Sequence, residues 1–161
     1  MIATFLKSTD SEIEGLLADP DSIEDLLFED TPAGVELECD IDKAWHGLHF
    51  LLCGKAGRGE PPLDFILAGG KPVGDVDVGY GPARVLTSAE LGAIVEALEA
   101  ISPAELAARF DAAALASNGI YPDTWDEPGV LTEYLLPYYV KLSSFLASAH
   151  EEGRAMIVYL S

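Results

Sequence analysis

The sequence is poor in positive charge. Its 161 residues include 28 Asp and Glu but only 9 Lys and Arg, which gives a formal net charge of -19. Proteins that bind nucleic acids neutralise phosphate groups with Lys and Arg, and anionic membranes attract the same side chains. The composition therefore argues against a nucleic-acid partner and against a membrane surface.

Cysteine and long apolar runs are also scarce. Cys39 and Cys53 are the two cysteines of the sequence, and we expect both thiols to be free. No run approaches the roughly 20 apolar residues of a membrane-spanning helix. The N-terminus also lacks the basic head and long apolar core of a signal peptide. These features predict a protein of the reducing cytoplasm.

Signatures of familiar chemistry are absent. The glycines between Gly69 and Gly81 form neither a G-x-x-x-x-G-K-[ST] phosphate loop nor a G-x-G-x-x-G dinucleotide turn, and no G-x-S-x-G elbow occurs. Cys53 has no recognisable nucleophile neighbourhood. We therefore expect no cofactor, and no motif assigns a catalytic residue.

Strands are predicted at both termini and once between them. Apolar stretches cover 1–6 and 155–161, and polar and apolar residues alternate over 34–41, the pattern of a strand with one wet face. The glycine-rich segment 71–87 is predicted to mix loop with short strand. Helices separate these segments. We predict a single α+β domain over 1–161, with several helices packed on a small mixed or antiparallel sheet.

Helix starts are marked by capping boxes, in which Ser or Thr precedes Glu by three residues. Such pairs predict helices that begin after Thr9, Thr87 and Ser102. Other helical segments are predicted over 21–28, 42–53 and 128–152, and one or two helical turns over 63–70. Pro137 interrupts the last of these, so a kink or a break is expected there.

The segment 40–54 gathers the side chains most suited to chemistry. On a helix, Asp42, His46, His49 and Cys53 fall on one side. A metal could touch only a subset of them, because the end residues lie about 16 Å apart along the axis, and we predict no metal site. We expect Trp45 and the leucines to enter the core, with the histidines at its edge and bonded to backbone or water. The alternative is that His49 serves as an acid, base or anchor in a pocket.

Three segments resemble the YfbM-like family of small bacterial proteins, a domain of unknown function: DIDKAWHGLHFLLCG at 40–54, GYGPARVLTSAEL at 79–91 and IYP at 120–122. The resemblance covers nearly the whole chain. It implies an α+β fold and a stand-alone cytosolic protein, without an assigned reaction. The family pattern falls on Asp40, Asp42, Lys43, Trp45, Leu48, His49, Phe50, Gly81, Pro82, Leu86, Thr87, Tyr121 and Pro122. His46 and Cys53 lie outside it, which leaves His49 beside Trp45 as the better candidate.

The leading functional hypothesis is a non-enzymatic protein-binding module, of an immunity or inhibitor type. Residues 1–42 carry 13 acidic side chains and a single basic one, Lys7, so this third of the chain would dock a basic protein. The simpler alternative is a solvated acidic surface that keeps the protein soluble.

The competing hypothesis is a small enzyme or small-molecule-binding protein with a pocket around His49 and Arg84. The imidazole would move a proton, and Arg84 would hold an anionic group of an unknown ligand. Four cations, Lys55, Arg58, Lys71 and Arg84, gather in this part of an otherwise acidic chain. The predicted pocket residues are Asp42, Trp45, His49, Tyr80, Arg84 and Tyr121.

Overall fold

The computed structural model of the protein describes residues 1–27 and 36–161. Over these residues the strands are β1 (Ala3–Ser8), β2 (Glu38–Asp40), β3 (Lys71–Asp77), β4 (Pro82–Leu86) and β5 (Ala155–Leu160). The α-helices are α1 (Asp10–Ala18), α2 (Ser22–Leu27), α3 (Trp45–Cys53), α4 (Ser88–Glu99), α5 (Pro103–Ala108), α6 (Ala112–Ser117) and α7 (Leu136–Glu151). A 3₁₀ turn, Asp42–Ala44, precedes α3, and a π-helical segment, Val130–Leu135, precedes α7. Within these ranges, none of the helices has the length and apolarity to cross a membrane.

The strands form one antiparallel sheet in the order β2-β1-β5-β4-β3. The strand β5 lies at its centre, where Val158 is opposite Phe5 of β1 and Ile157 is opposite Val85 of β4. The α+β prediction is confirmed, including the strands near both ends of the chain. A mixed or an antiparallel sheet was predicted, and the observed sheet is antiparallel.

The sheet separates two apolar cores of unequal size. Side chains alternate along a strand, so Met156 and Val158 of β5 face the larger core while Ala155 and Ile157 face the smaller one. Helices α3, α4 and α7 cover the larger core, and α1 and α2 cover the smaller. Burial of each aliphatic side chain stabilises the folded state by roughly 1.5–3 kcal/mol. Both helix layers therefore stabilise the fold, because each keeps one face of the sheet away from water.

Three helices begin at the predicted capping boxes. In α1, α4 and α5 the hydroxyl of Thr9, Thr87 or Ser102 accepts the backbone N–H of the glutamate three residues later, and that glutamate bonds back to the cap. Each box satisfies two N–H groups that have no partner inside the helix. These three helix starts are confirmed.

The segment 63–87 agrees in part with its predicted structure. Its first part, where one or two helical turns are predicted, forms a single turn in which the Ala68 N–H donates to the Asp64 carbonyl at 2.8 Å. The glycine-rich part is more regular than predicted, because β3 and β4 form a hairpin. The Asp77 carboxylate stabilises the hairpin turn by accepting two glycine N–H groups.

Two predicted elements extend into residues that the structure does not describe. The strand predicted over 34–41 is observed as Glu38–Asp40, and its first two positions lie outside the described residues. Helix α2 ends at Leu27, and the predicted end at Phe28 also lies outside them.

The two outer strands of the sheet are short or irregular. β2 has three residues. β3 contains Pro72, which has no N–H, and Gly74, which has a left-handed φ of 55°. A Cβ at Gly74 would lie 2.7 Å from the Cβ of Pro20, so the turn between α1 and α2 lies against this strand.

Pro137 lies in the first turn of α7, where a missing N–H costs little because that group has no helical partner. The π-helical segment before it has wider turns than an α-helix. The helix predicted over 128–152 is observed as the π-helical segment followed directly by α7, so the hydrogen-bond register changes near Leu135 without a break in the chain.

Gly47 of α3 provides a test of the packing in the larger core. A Cβ at this position would lie 2.5 Å from Cη2 of Trp125 and 3.1 Å from Cδ2 of Leu135. Because both neighbours are buried, we expect Gly47→Ala to lower the free energy of unfolding by about 1–3 kcal/mol in urea titrations.

The matched control is Gly15→Ala in α1, where no atom lies within 4 Å of the added methyl group. It should be neutral or stabilising by up to about 1 kcal/mol, because alanine favours helix over glycine. Equal stabilities of the two variants would contradict the close contact at Gly47.

Candidate functional site

Three polar side chains of α3 hold the loop that follows it, and we call this arrangement the α3 clasp. Each donates a hydrogen bond to a backbone carbonyl group of the segment 54–63. The pairs, with their donor–acceptor distances, are His46 Nε2 to Ala56 (2.8 Å), His49 Nε2 to Gly57 (2.7 Å) and Cys53 Sγ to Leu63 (3.1 Å). His46, His49 and Cys53 therefore lie on one face of α3, as predicted. Their hydrogen bonds in the clasp go to backbone carbonyl groups.

The imidazole of His46 has a partner at each nitrogen. Its Nδ1 accepts the backbone N–H of Tyr121 at 3.0 Å, while its Nε2 donates within the clasp. Both ring nitrogens are therefore occupied by hydrogen bonds to backbone groups. His46 thus ties α3 to two loops and has no nitrogen left for a metal or a substrate.

His49 is buried, with 0% of its surface exposed. Burial lowers the pKa of His49, although the Gly57 carbonyl and the nearby Asp64 carboxylate act in the opposite direction. The predicted backbone bond is present, but the ring lies inside the core and not at its edge. An imidazole without exposed surface cannot meet a ligand that arrives from solvent.

Both cysteines are free thiols, as the sequence predicts. Burial raises the pKa of Cys39 and of Cys53 to about 11, and the Asp64 carboxylate also raises that of Cys53. The thiolate is the nucleophilic form of cysteine. Neither thiol is therefore activated near neutral pH.

Asp42 lies in the 3₁₀ turn before α3 and has a left-handed φ of 47°. The Tyr134 hydroxyl donates to its Oδ2 at 2.8 Å. Burial and this hydrogen bond raise the pKa of Tyr134. The predicted stripe does not extend to Asp42, because α3 begins only at Trp45. The carboxylate instead joins this turn to the π-helical segment.

Trp45 lies in the core, as predicted, and its Nε1 donates to the Met1 carbonyl at 3.2 Å. Its ring stacks on those of His46 and Tyr121, with centroid distances of 4.7 and 6.0 Å. The Tyr121 hydroxyl accepts from the Met1 amino group at 3.4 Å. These rings form a packed stack and not the wall of an open pocket.

Arg84 extends from β4 to the turn over 64–69. Burial lowers the pKa of Arg84 to about 10, so the guanidinium stays charged at neutral pH. Carbonyl groups at the end of a helical turn carry partial negative charge and attract a cation. The bonds run from Nη1 to the carbonyls of Phe65 (3.2 Å), Ala68 (2.6 Å) and Gly69 (3.0 Å), and from Nη2 to that of Ile66 (2.7 Å).

Tyr80 and Arg84 line an open cleft of about 380 Å³, which we call the Tyr80 cleft. Tyr80 is 57% exposed, and its backbone N–H donates to the Leu160 carbonyl at 3.1 Å, which holds the hairpin turn against β5. The cleft is also lined by Arg58, Leu67, Pro72, Pro82 and Tyr159.

The six predicted pocket residues do not meet at one place. Tyr80 and Arg84 share a cleft, Trp45 and Tyr121 share a ring stack, and Asp42 and His49 have separate partners. Over residues 1–27 and 36–161, no group of three or more His, Cys, Asp or Glu side chains is arranged to hold a metal ion. Among the cavities of the described residues, the Tyr80 cleft is therefore the one lined by two of the predicted residues, exposed Tyr80 and largely buried Arg84.

Tyr134 and Tyr159 lie outside the predicted site. Tyr159 reaches the cleft because β5 lies beside β4 in the sheet, and strand order is not visible in local sequence patterns. The sequence shows Arg58 as one of four clustered cations. Its position in the Tyr80 cleft, however, depends on the same strand order.

Comparison with known proteins gives a family without an assigned activity. The family described as "Domain of unknown function (DUF1877)" matches residues 1–159. The crystal structure of YfbM from Escherichia coli, a protein of unknown function, is similar with 27% sequence identity, a TM-score of 0.73 and coverage of 98% of each chain. No curated protein matches. The resemblance to the YfbM-like family is confirmed.

Buried His49 predicts a loss of stability on mild acidification. Its pKa is lowered from the ordinary value of 6.5 in the folded protein, so below that pH the unfolded chain takes up a proton that the folded chain resists. The free energy of unfolding should therefore fall as the pH drops from about 7.5 to about 5.5. Urea titrations across this range measure the slope.

In the same titrations, His49→Gln should flatten the slope, because glutamine keeps a donor and does not titrate. The matched variant His150→Gln removes an exposed histidine and should keep the slope of the unmodified protein. Equal slopes for the two variants would show that His49 does not cause the pH dependence.

Arg84 should be far more sensitive to a conservative change than Arg58. Lysine cannot reproduce the planar fork that bonds four carbonyl groups, so Arg84→Lys should lower the free energy of unfolding by about 1–3 kcal/mol. Arg58→Lys, on an exposed side chain, should stay within about 0.5 kcal/mol. Urea unfolding would contradict this assignment if both variants were as stable as the unmodified protein.

Proposed function

The chain belongs to the DUF1877 family, a domain of unknown function, and we propose that it is a non-enzymatic module that binds a basic protein. The partner would be covered by an acidic surface, in the manner of an inhibitor or immunity protein. The groups most suited to catalysis support a non-enzymatic role, since His46, His49 and Cys53 are engaged in the α3 clasp.

The observation that carries this proposal is the uncompensated charge of the α1–α2 layer. Seven carboxylates on this layer are exposed, and two of them, Asp10 and Glu12, are hydrogen-bonded to Ser88 and to the cap of α1. We call the other five the acidic layer: Glu14, Asp19, Asp21, Glu24 and Asp25. In the described part of the chain the ion pairs use Glu60 and Glu152 as their acidic members, so the acidic layer has no cationic partner there. Glu12 on the same layer, by contrast, serves a helix cap.

The position of the acidic layer suits docking to a large partner. Helices α1 and α2 cover the smaller core on one face of the sheet, opposite α3, α4 and α7. Uncompensated like charges on one face attract a surface of opposite charge, raise the association rate and select against acidic partners. The proposed partner is therefore a protein with a patch of Lys and Arg.

The proposed location is the reducing cytoplasm of a bacterial cell. Two free thiols, Cys39 and Cys53, suit such a compartment. The similar protein YfbM comes from Escherichia coli, which supports a bacterial setting.

A second candidate function is the binding of a small molecule in the Tyr80 cleft. Its volume of about 380 Å³ lies within the range of about 300–1,000 Å³ that is usual for ligand sites. Arg84 and Tyr80 remain candidates for this role. His49 is not, because it has no exposed surface, so proton transfer by its imidazole has no support at this cleft.

Charge reversal tests the leading proposal. The triple variant Glu14→Lys, Glu24→Lys and Asp25→Lys should lose a partner that the unmodified protein retains from cytosol at low salt. The same partner should be released at about 0.5 M salt, because that ionic strength screens exposed charges. Affinity capture followed by mass spectrometry measures both effects.

The matched control carries three reversals elsewhere on the surface, Glu96→Lys, Asp126→Lys and Glu151→Lys, all at exposed positions. It changes the net charge by the same amount and should keep the partner. Equal loss of the partner in both variants would indicate non-specific charge attraction, and recovery of no partner by the unmodified protein would reject the proposal.

A further inference from the structure

The Tyr80 cleft differs in charge from the rest of this acidic protein. Its lining contains two arginines, Arg58 and Arg84, and no Asp or Glu, although the sequence has 28 acidic residues and 9 basic ones. Among the described residues, three other cavities each include an acidic side chain: Glu99 in one, Asp64 and Glu90 in another, and Glu127 and Glu133 in a third. The cleft is thus a local exception to the charge of the whole surface.

The two arginines have different tasks. Arg84 is anchored by four carbonyl groups of the turn 64–69, so it contributes a fixed positive charge and holds one wall of the cleft. Arg58 is exposed and belongs to none of the ion pairs found over residues 1–27 and 36–161. Its guanidinium can therefore offer two parallel N–H donors to an incoming carboxylate.

The remaining walls of the cleft are largely apolar and aromatic. Leu67, Pro72 and Pro82 supply apolar surface, and Tyr80 supplies an exposed ring. In the described structure, two large apolar side chains are exposed to solvent, Tyr80 and Val140. An exposed aromatic ring beside a cation is suited to a ligand with a flat apolar body and an anionic end.

The charge of the protein also limits the charge of the ligand. A net charge of -19 repels anions at long range, and each further negative charge on a ligand increases this repulsion. One arginine with free donors can match one carboxylate. A monocarboxylate is therefore favoured over a phosphate ester or a polyphosphate.

We infer that the Tyr80 cleft binds a small aromatic monocarboxylate, with its carboxylate on Arg58 and its ring against Tyr80. This inference rests on the second candidate function, small-molecule binding, and is independent of the docking of a basic protein. Arg84 acts in it as a positioning residue, because its Nη1 and Nη2 groups bond the turn that forms the wall.

Titration calorimetry of the full chain with benzoate and phenylacetate tests this inference. Their neutral amides, benzamide and phenylacetamide, have the same shape without the charge, and phenyl phosphate tests the charge limit. We expect saturable binding of a carboxylate probe, with the matching amide and phenyl phosphate at least about tenfold weaker. Amide chemical-shift changes should centre on Gly69, Gly70 and Tyr80.

Two variants with matched charge locate the carboxylate. Arg58→Gln should weaken binding of the carboxylate probe by about tenfold or more and leave binding of the amide unchanged, because only the charged hydrogen bonds are lost. Lys55→Gln removes one positive charge from the same loop, outside the cleft lining, and should bind as the unmodified protein does.

Two results would overturn the inference and separate it from the function on which it rests. If amides and carboxylates bound equally well, or Arg58→Gln left carboxylate binding intact, the cleft would bind small molecules without selecting anions. If none of the five probes showed saturable binding with shifts at the cleft, both the anion preference and the small-molecule function would fail.

Discussion

The buried guanidinium of Arg84 is the interaction on which the irregular half of this fold depends. It draws four carbonyl groups of one turn onto strand β4, and that turn carries buried Phe65 and Ile66 into the larger core. Without a cation the carbonyl groups would be buried next to one another without donors, which is costly. The same contact shapes the wall of the Tyr80 cleft, so one side chain serves both the fold and the candidate site.

The polar side chains of α3 suggest chemistry but serve the fold. Two histidines and a cysteine on one helix face have the composition of a catalytic or metal site, but here each binds the backbone of the next loop. The loop over 54–63 contains three glycines and two prolines and has no strand or helix of its own. Its carbonyl groups need donors, and an amphipathic helix with polar residues at spacings of three and four provides them.

Much of the fold was accessible from local sequence patterns. Capping boxes located the starts of α1, α4 and α5, and apolar periodicity identified the strands near both ends of the chain. The hairpin of β3 and β4 was less accessible, because its glycines obscure the strand pattern and its regularity comes from pairing with β5. One or two helical turns were predicted over 63–70, and a single turn is observed, whose carbonyl groups are bonded by Arg84, about fifteen residues later in the chain.

The candidate site was accessible only in part. Tyr80 and Arg84 lie close in sequence on one hairpin, so their association could be predicted. His49, Trp45 and Tyr121 were grouped with them by residue type, but the depth of a side chain in the core depends on the packing of distant elements. Tyr134 had no local signal, since a π-helical segment is not distinguished from an α-helix by its sequence pattern.

The outer strands of the sheet limit how this protein can recognise another. An exposed regular strand lets a partner extend the sheet through main-chain bonds, but β2 has three residues and β3 is interrupted by Pro72 and Gly74. Self-association by sheet extension is disfavoured for the same reason. For the proposed partner, contact would then rest on side chains, and the partner would be selected by the pattern of its surface groups rather than by its backbone.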